Sequence, residues 1–475
     1  MDNATIAAIA TPTTAAGGIG IIRISGPDAL DVAGCVFSLP GEGDASLPLS
    51  PMKSRIHSLS PYRLYRGYIT EGSRIVDEVM LVIMPGPRSY TGEDVAEIQA
   101  HGGRFGLKTI LSLVLENGTR LAEPGEFTRR AFLNGRMDLT QAEAVADIVQ
   151  AGSDAALAAA VGQAAGTLRT EVGGARSRLI NGLANVDAAI DFSDQAAGDH
   201  DAESLIHLIQ TTVMPVVERL ISRHDSAWHV KDGVKVAIAG APNVGKSTLL
   251  NGLANAERAI VSEVPGTTRD LIQCTVVVHG IPLVFTDTAG IREKTEDRIE
   301  EIGRERALNT IETADVVLFL VDAGTGVTPA DEAVFRQIAH DRVICVANKI
   351  DLAQAERFVF PRHWTETFSS VRISAKTRQG LNTLKKTLLS LVPSGDDATT
   401  TGDSAEPIPN LRHKDALVRA RTALVSAETA AENGVPLDIV AIDIREAVNA
   451  LGEITGERVG EEVLDRIFQQ FCVGK

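Results

Sequence analysis

Short apolar runs alternate with turns through the first 120 residues. The clearest runs are Gly20–Ile24, Leu64–Tyr68, Val79–Met84 and Val95–Gln99. Runs of this length, separated by Gly, Pro and Ser, are typical of β-strands. The Gly/Pro/Ser stretch at Pro40–Pro51 predicts a loop. We therefore predict an α+β module over residues 1–120.

The hydrophobic period changes at Leu139. From there to Asp191, Ala, Leu, Val, Gln and Glu dominate, proline is absent, and apolar residues recur at spacings of three and four. Ser204–Trp228 continues this pattern with a break at Pro215. The three- and four-residue spacing predicts long amphipathic helices.

The helical period returns after a polar, low-complexity linker at Ser394–Pro409. Three further helices are predicted at Ala416–Asn433, Asp438–Leu451 and Val459–Phe471. The simplest interpretation is one helical domain, formed by residues 121–231 and 394–475, into which an α/β module at 232–393 is inserted. Two independent helical pieces are the alternative.

Residues Gly240 to Ser247 spell G-x-x-x-x-G-K-S between an apolar strand, Val234–Ala239, and the start of a helix. This arrangement is a phosphate-binding P-loop, because a glycine-rich turn at a helix N-terminus offers many backbone N–H donors. Lys246 is expected to reach the β- and γ-phosphates, and the Ser247 hydroxyl to ligate Mg²⁺.

Two further elements of a nucleotide site follow the P-loop. Pro265–Asp270 contains Thr268, which we assign to Mg²⁺ and to sensing the γ-phosphate. Leu283–Gly290 is an apolar strand that ends in Asp-Thr-Ala-Gly. Asp287 is expected to hold Mg²⁺ directly or through water, and the Gly290 N–H to face the γ-phosphate.

The last two elements predict the nature of the base. A buried strand at Val343–Ala347 ends in Asn348-Lys349-Ile350-Asp351, an N-K-x-D pattern. The Asp351 carboxylate can accept hydrogen bonds from guanine N1–H and N2–H₂, which adenine lacks, so the pattern favours GTP over ATP. Backbone groups of Ser374, Ala375 and Lys376 are expected to cover guanine O6. The complete set of predicted nucleotide contacts is Asn243, Val244, Gly245, Lys246, Ser247, Thr248, Ser262, Glu263, Val264, Pro265, Gly266, Thr267, Thr268, Asp287, Thr288, Ala289, Gly290, Asn348, Lys349, Asp351, Ser374, Ala375 and Lys376.

The position after Gly290 is Ile291, where many small GTPases carry a water-orienting glutamine. Hydrolysis must therefore use another group. Acidic candidates are Glu293, Glu296, Asp297, Glu300 and Glu301. Asn243 offers a carbonyl oxygen that can help hold a monovalent cation, which would replace the charge of an arginine finger.

Composition narrows the class of protein. The chain has 475 residues, a formal charge of −16 and a pI near 5.2. This acidity disfavours indiscriminate nucleic-acid binding but allows a local basic patch at Arg129, Arg130 and Arg136. The four cysteines lie far apart, which argues against a zinc site or a disulfide framework. With no long apolar run and no signal-like N-terminus, we expect a cytoplasmic protein without membrane contact.

Both ends of the chain carry unusual residues. Arg23 interrupts an apolar strand, as an edge residue or as a contact for an anion, and Glu97 and His101 lie close to a Gly-Gly turn. Lone charged residues of this kind are more often solvated than functional. A cysteine such as Cys472, in the terminal Phe-Cys-Val-Gly-Lys, is more often a buried small hydrophobe or an accident of sequence than a reactive group.

Taken together, these motifs resemble the MnmE (TrmE) family of tRNA-modification GTPases. The resemblance runs along the whole chain. It is carried by Ala10–Pro12, Gly18–Gly26, Thr91–Asp94, His101–Gly103, Pro124–Asn134, Gln141–Ala144, the five GTPase elements and the terminal Phe-Cys-Val-Gly-Lys. The GTPase elements alone fit several families, whereas the N-terminal blocks together with the terminal motif are far more specific.

The resemblance implies a folate-binding N-terminal domain at 1–120 that also dimerises, a helical domain at 121–231 and 394–475, and a Ras-like G domain at 232–393. It implies a homodimer and a heterotetramer with the FAD protein MnmG (GidA), through which FAD and NADH enter. The reaction would install a carboxymethylaminomethyl or aminomethyl group on C5 of the tRNA wobble uridine, U34. A 5,10-methylene- or 5-formyl-tetrahydrofolate would be the bound one-carbon derivative, with methylene-tetrahydrofolate as the donor and glycine or ammonium as the amine.

The resemblance also assigns residues. Folate contacts fall on Arg23, Glu97, Arg136 and Lys475, although the family usually has lysine where this chain has Arg136. Potassium contacts fall on Asn243, Ser262, Val264 and Thr267. Glu300 would orient the attacking water, with Glu301 as the alternative, and Cys472 would take part in the modification. A pterin edge suits a carboxylate such as Glu97, and an anionic glutamate tail suits cations.

Two other functions compete with this one. A ribosome-assembly or signalling switch would use the same GTPase elements but would need neither the Arg23 and Glu97 module nor Cys472. A folate-dependent aminomethyl carrier with an inactive G domain is disfavoured by the intact Lys246 and Asp287.

Overall fold

The computed structural model describes residues 4–12, 17–40, 51–53, 55–72, 74–191, 198–254, 273–278, 281–287, 309–391 and 407–475. The chain forms two compact units. Unit 1 comprises Met1–Ala146 and Asn449–Lys475, and unit 2 comprises Asp147–Val448. The C-terminal segment therefore belongs to the same unit as the N-terminal sheet.

The described strands and helices are numbered in chain order. The strands are β1 Ile6–Ile9, β2 Ile19–Ser25, β3 Phe37–Ser38, β4 Tyr65–Glu71, β5 Arg74–Met84, β6 Val95–His101, β7 Arg120–Leu121, β8 Val234–Gly240, β9 Gln273–Val278, β10 Ile281–Asp287, β11 Val316–Asp322, β12 Val343–Asn348 and β13 Ser369–Arg372. The α-helices are α1 Ala29–Val36, α2 Arg104–Glu116, α3 Glu126–Leu133, α4 Leu139–Gln150, α5 Asp154–Ala164, α6 Thr167–Asp191, α7 Gly198–Leu208, α8 Met214–Asp232, α9 Lys246–Ala254, α10 Pro329–Phe335, α11 Arg362–Thr365, α12 Leu381–Ser390, α13 Leu411–Glu432, α14 Leu437–Thr455 and α15 Glu461–Gln469.

Unit 1 is built on a seven-stranded sheet in the order β3-β4-β5-β6-β2-β1-β7. The four strands expected from the sequence are confirmed as β2, β4, β5 and β6, and the module is α+β as predicted. Alternate residues of β2 and β6, such as Ile22, Ile24 and Ile98, lie in the core beneath α1 and α2. Because neighbouring side chains of a strand point to opposite faces, Arg23 and Glu97 lie on the other face of the sheet.

The C-terminal segment packs against α3 and α4 within unit 1. Phe468 and Phe471, in and just after α15, form a small apolar cluster with Leu139 and Ala142 of α4. Gly125, which precedes α3, packs against the same segment, and a Cβ there would lie 2.6 Å from Phe468 O. The last turn of the chain is therefore fixed beside α3.

Unit 2 contains a six-stranded sheet in the order β13-β12-β11-β8-β10-β9. All neighbouring pairs are parallel except β9 with β10. The carboxyl ends of β8, β10, β11 and β12 consequently meet at one edge of the sheet, where ligands bind in open α/β folds.

Strand β11 explains how this sheet is buried. Val316, Leu318 and Leu320 belong to the core on one face, and Val317 and Phe319 to the core on the other. A strand covered on both faces has a continuous apolar run rather than an alternating pattern. This run is as apolar as β12, yet the sequence reading did not assign it as a strand.

The remaining part of unit 2 is helical. The predicted segment from Leu139 contains α4, α5 and α6, with interruptions near Gly152 and Gly166. A π-helical turn at Ile209–Val213 separates α7 from α8 just before Pro215, so the predicted break is a change in helical hydrogen bonding and not a turn of the chain. Helix α13 packs along α8, and the His224 ring bonds the Pro409 carbonyl at 2.6 Å. No helix among the described residues is long and apolar enough to cross a lipid bilayer.

Candidate functional site

The P-loop connects the end of β8 to the start of α9, as the sequence predicts. Two of its glycines, Gly240 and Gly245, occupy positions where a side chain would clash with neighbouring atoms. Gly240 has φ of 145°, and a Cβ there would lie 2.4 Å from Leu320 O. Gly245 has φ of 101°, and a Cβ there would lie 2.4 Å from Asn348 Nδ2. The tight packing around both glycines lets backbone amides approach a phosphate closely.

Lys246 lies within this loop. Its side chain is buried, and Nζ donates to the carbonyl oxygens of Gly240 at 2.7 Å and Ala241 at 3.0 Å. Ser247 and Thr248 follow in the first turn of α9 and are exposed. The loop therefore concentrates an ammonium group and a hydroxyl at the edge where phosphate and Mg²⁺ are expected.

Asn348 ties the base-recognition loop to the P-loop. Its side chain is almost fully buried, and Nδ2 donates to Val244 O at 2.8 Å. Its Oδ1 accepts the Ala375 N–H at 2.9 Å. One amide side chain thus joins three of the five predicted elements, which lie far apart in sequence.

Asp351 is the residue that the sequence assigns to guanine. Its Oδ1 accepts a hydrogen bond from the Ser374 hydroxyl at 2.6 Å. This bond, more than any other interaction, lowers the pKa of Asp351 below the ordinary value of an aspartate. The carboxylate is therefore ionised at neutral pH and can accept the two N–H donors of a guanine edge.

Asp322 joins this group, and the sequence analysis missed it. Its Oδ2 lies 2.6 Å from Lys349 Nζ, and its backbone pairs with Asn348 at the carboxyl end of β11. The available signal was the uninterrupted apolar run of β11, followed by Asp-Ala-Gly. Comparable apolar runs precede the Asp-Thr-Ala-Gly of β10 and the Asn-Lys-Ile-Asp of β12, which were assigned.

Several predicted nucleotide contacts lie outside the described residues. They are Ser262, Glu263, Val264, Pro265, Gly266, Thr267, Thr268, Thr288, Ala289 and Gly290, together with Ile291 and the acidic candidates Glu293, Glu296, Asp297, Glu300 and Glu301. Asp287 is described only as the last residue of β10. Its backbone pairs with Ile238 of β8, which places it at the same sheet edge as the P-loop.

Unit 1 holds the second group of predicted site residues. Arg23 of β2 and Glu97 of β6 pair directly in antiparallel register, and Arg23 Nε donates to Glu97 Oε1 at 2.7 Å. Both side chains are largely buried, with exposed fractions of 19% and 16%. Neither residue is a solvated lone charge, and Arg23 is not at an edge, because β2 lies between β6 and β1.

Aromatic rings and the C-terminal segment surround Arg23. The guanidinium carbon lies 5.2 Å from the centre of the Tyr90 ring and 5.6 Å from that of Phe127. Nη1 also contacts Gly474 O at 3.4 Å. Cation–π contacts of this length stabilise a buried guanidinium. Tyr90 and Phe127 were not identified from the sequence, because nothing local distinguishes them from core residues.

The terminal Phe-Cys-Val-Gly-Lys is fixed by backbone contacts. Lys475 O accepts the Phe127 N–H at 3.1 Å. Gly474 has φ of 95°, and a Cβ there would lie 2.5 Å from Ile9 O. Phe471 is buried, whereas Cys472 is exposed. The interpretation of Cys472 as a buried small hydrophobe is therefore wrong.

Arg136 lies outside the ion pair but is connected to its surroundings. The side chain is exposed, and Nε donates to Ser89 O at 3.0 Å. Ser89 precedes Tyr90, the residue whose ring faces Arg23. Arg136 and Arg23 thus both contact the same short segment of chain.

The basic patch that the composition allows at Arg129, Arg130 and Arg136 does not form. Arg130 is buried and bonds Glu126 and Glu93, and Arg129 pairs with Asp465 at 3.1 Å. These carboxylates neutralise two of the three charges.

Glu126 is the centre of that internal network. Burial alone would raise its pKa, but hydrogen bonds from Arg120, the Glu123 N–H and Arg130 outweigh burial and hold the pKa below its ordinary value. The arginines and Glu126 form a structural network within unit 1 rather than a surface for phosphates.

Two family models match this chain. Residues 5–136 match the family model described as the GTP-binding protein TrmE N-terminus, and residues 139–472 match that of the MnmE helical domain. A tRNA modification GTPase MnmE from Carboxydothermus hydrogenoformans is 43% identical over 99% of this chain and 99% of its own length. The chain belongs to the MnmE family of tRNA modification GTPases. The protein of that name from Symbiobacterium thermophilum is 42% identical over the full length of both chains.

Among solved structures, a crystal structure of Era with MgGDPNP and nucleotides of 16S ribosomal RNA is 34% identical over 40% of this chain and 66% of its own. The TM-score of this match is 0.29.

Membership of the MnmE family establishes the coarse function. The chain is a GTPase of tRNA modification, and GTP with Mg²⁺ is its nucleotide. The residues fit this ligand: a glycine-rich loop at a helix start suits the phosphates, and the Ser247 hydroxyl is the kind of oxygen donor that Mg²⁺ prefers. Nothing in the comparisons favours a switch without modification chemistry.

Proposed function

We propose that this chain is the GTP-hydrolysing subunit that modifies C5 of the wobble uridine, U34, with a one-carbon unit from a tetrahydrofolate. The product would be a carboxymethylaminomethyl or aminomethyl group. The observation that carries the proposal is the contact of Arg23 with both Glu97 and Gly474. This contact brings two predicted folate residues and the Cys472 segment together in unit 1. A GTPase that acts only as a switch would not need this arrangement.

A reduced folate fits these residues chemically. Its pterin carries an amide edge and an amino group, which suit the Glu97 carboxylate, and its glutamate tail is anionic, which suits Arg23, Arg136 and Lys475. Arg23 is already paired with Glu97, so a ligand that bonds both residues would exchange with an existing ion pair. Lysine is usual in the family where this chain has Arg136, so the charge is retained with a different geometry.

Cys472 is proposed to take part in the modification. Its exposure, beside a Phe471 that is buried and a Gly474 that is tightly packed, supports this role, since the thiol is accessible while its neighbours are fixed. The proposal does not extend to the bond that Cys472 would make.

The nucleotide site is proposed to use potassium in place of an arginine finger. Asn243, Ser262, Val264 and Thr267 would supply oxygen ligands, and Glu300 or Glu301 would orient the attacking water. Asn243 adopts the left-handed conformation, with φ of 64°, which is uncommon for a residue other than glycine. This constraint on its backbone supports a specific role for Asn243 in the P-loop.

The assembly is also proposed. Residues 1–120 would form the folate-binding and dimerising domain, residues 121–231 and 394–475 the helical domain, and residues 232–393 the G domain. Packing of α13 along α8 supports one helical domain rather than two pieces. The partners would be a second copy, an MnmG (GidA) protein that supplies FAD and NADH in a heterotetramer, and tRNA with U34, in the cytoplasm.

Two measurements on the full chain test the proposal. The first is nucleoside analysis of tRNA from cells that carry Cys472→Ser, with Cys35→Ser as the matched control. We expect Cys472→Ser to abolish the U34 modification and to leave GTP hydrolysis intact. If GTP hydrolysis is lost as well, Cys472 has a structural role. If neither variant changes the tRNA, Cys472 takes no part in the modification.

The second measurement compares GTP hydrolysis in potassium and in sodium, with sedimentation to report dimerisation. We expect strong stimulation by potassium and a dimer. Equal rates in the two cations would refute the potassium site without touching the folate proposal.

A further inference from the structure

Asp322 ends the central strand β11 and makes contacts with both of its carboxylate oxygens. Oδ1 accepts the Gly324 N–H at 2.8 Å, which fixes the turn that follows the strand. Oδ2 lies 2.6 Å from Lys349 Nζ. The carboxylate has an exposed fraction of only 18%, so its partners rather than solvent satisfy it. No part of the proposed nucleotide chemistry uses this residue.

Lys349 is held from two directions. In addition to the Asp322 carboxylate, its Nζ donates to Asn243 O of the P-loop at 2.8 Å. Its own backbone is left-handed, with φ of 64°. The lysine therefore connects the carboxyl end of β11 to the P-loop from a position two residues before Asp351.

We propose that Asp322 is a positioning residue for guanine-nucleotide binding, which acts by holding Lys349 between the base-recognition loop and the P-loop. The proposal rests on the proposed guanine site at Asp351. A lysine has a long side chain with many rotamers, and fixing it before the nucleotide binds removes an entropic cost from binding. The ion pair also stabilises the hydrogen bond from Lys349 to Asn243 O. The base-recognition loop and the P-loop are therefore held in one relative position.

The competing explanation is that Asp322 serves only the turn at Gly324. An asparagine can still accept the Gly324 N–H through its amide oxygen, but it lacks the charge that holds an ammonium group. Asp322→Asn therefore separates the two roles. Asp315→Asn is the matched control, because Asp315 precedes the same strand and accepts a backbone N–H from Lys235 at 2.8 Å.

The experiment is a double-mutant cycle on the full chain, with the Kd for GDP as the readout. We expect Asp322→Asn to raise the Kd about three- to ten-fold, and Asp315→Asn to leave it unchanged. In a Lys349→Met background, adding Asp322→Asn should change the Kd by about two-fold at most, since the partner is already lost. The melting temperature of each variant is recorded to identify loss of folding.

Two outcomes would overturn the proposal. If Asp322→Asn weakens GDP binding equally in both backgrounds, Asp322 acts through the turn and not through Lys349. If it leaves the Kd unchanged in the native background, it does not position anything for the nucleotide. Asp351→Ala is measured beside these variants. An unchanged Kd there would show that guanine binds elsewhere, which refutes the underlying site independently of Asp322.

Discussion

Arg23 and Glu97 lie directly opposite each other on neighbouring antiparallel strands and form an ion pair of 2.7 Å. They are 74 residues apart in sequence, and both are shielded from solvent on the sheet face that α3 and the C-terminal segment cover. Two residues assigned to one ligand therefore also stabilise each other. Their substitution has consequences for folding as well as for binding.

The first prediction concerns this pair. Glu97→Gln leaves the Arg23 guanidinium without its counter-charge, so we expect local stability to fall by about 1–2 kcal/mol. Hydrogen exchange of the β2 and β6 amides, which reports local opening, should accelerate accordingly. Glu116→Gln, at an exposed site at the end of α2, is the control. An unchanged rate of hydrogen exchange in Glu97→Gln would mean that the ion pair does not stabilise the sheet and that the two residues serve ligand binding alone.

The second prediction concerns pH. The pKa of Glu126 is lowered in the folded protein, so its contribution to stability is present above the ordinary glutamate pKa and is lost as pH falls through the lowered value. At pH 7, Glu126→Gln should therefore lower the free energy of unfolding by about 2–4 kcal/mol, and its melting temperature should fall accordingly. Calorimetry should show the difference shrinking below about pH 4. A difference independent of pH would contradict the assignment.

The third prediction concerns the C-terminal segment. Gly474→Ala places a methyl group 2.5 Å from Ile9 O at a left-handed backbone position, so the segment has to move away from Arg23. We expect faster proteolysis of the last residues and reduced U34 modification, with unchanged GTP hydrolysis. Gly460→Ala is the matched control, because nothing lies within 4 Å of a Cβ there. Equal protease resistance in the two variants would show that Gly474 is not needed for docking.

The fourth prediction concerns base specificity. Asp351→Asn replaces two accepting oxygens by an acceptor and a donor, and the donor suits the 2-oxo group of xanthine but not the 2-amino group of guanine. The Kd for GDP should rise about one hundred-fold or more, while that for XDP falls. Asp341→Asn, at an exposed site in the same unit, should change neither. Retained preference for GDP would mean that another residue recognises guanine.

The fifth prediction concerns thiol reactivity. Burial raises the pKa of Cys345 to about 12 and also raises that of Cys274, so neither forms thiolate at neutral pH. Cys472 is exposed. Iodoacetamide should alkylate Cys472 first in the native protein, and Cys274 and Cys345 only after denaturation, as measured by peptide mass spectrometry. Early labelling of Cys345 would show that its strand opens readily.

The sequence predicted the nucleotide site best where the chemistry is local. A P-loop needs a strand, a tight turn and a helix start within a few residues, so its spacing identifies it. The N-K-x-D pattern is equally local. The role of Asp322 was missed because its partner Lys349 is 27 residues away and is brought to it by the pairing of β11 with β12, so the Asp-Ala-Gly after β11 did not by itself indicate this contact.

The same distinction applies to charges. The sequence left room for a basic patch at Arg129 and Arg130, because adjacent arginines are usually solvated. In the fold their neutralising partners come from distant segments, Asp465 and Glu93, as well as from the nearby Glu126. Net local charge is a property of the packed structure, and sequence adjacency does not determine it.

Sequence alone determined the α+β character of the first 120 residues, the helical periods, the P-loop and the preference for guanine, since each depends on residues close together in the chain. Only the tertiary structure decided that Arg23 lies inside the sheet, pairs with Glu97 and contacts Gly474, which is 451 residues away. Strand register and the docking of a terminal segment depend on many weak contacts summed over the whole unit. They therefore emerge only once the unit has folded.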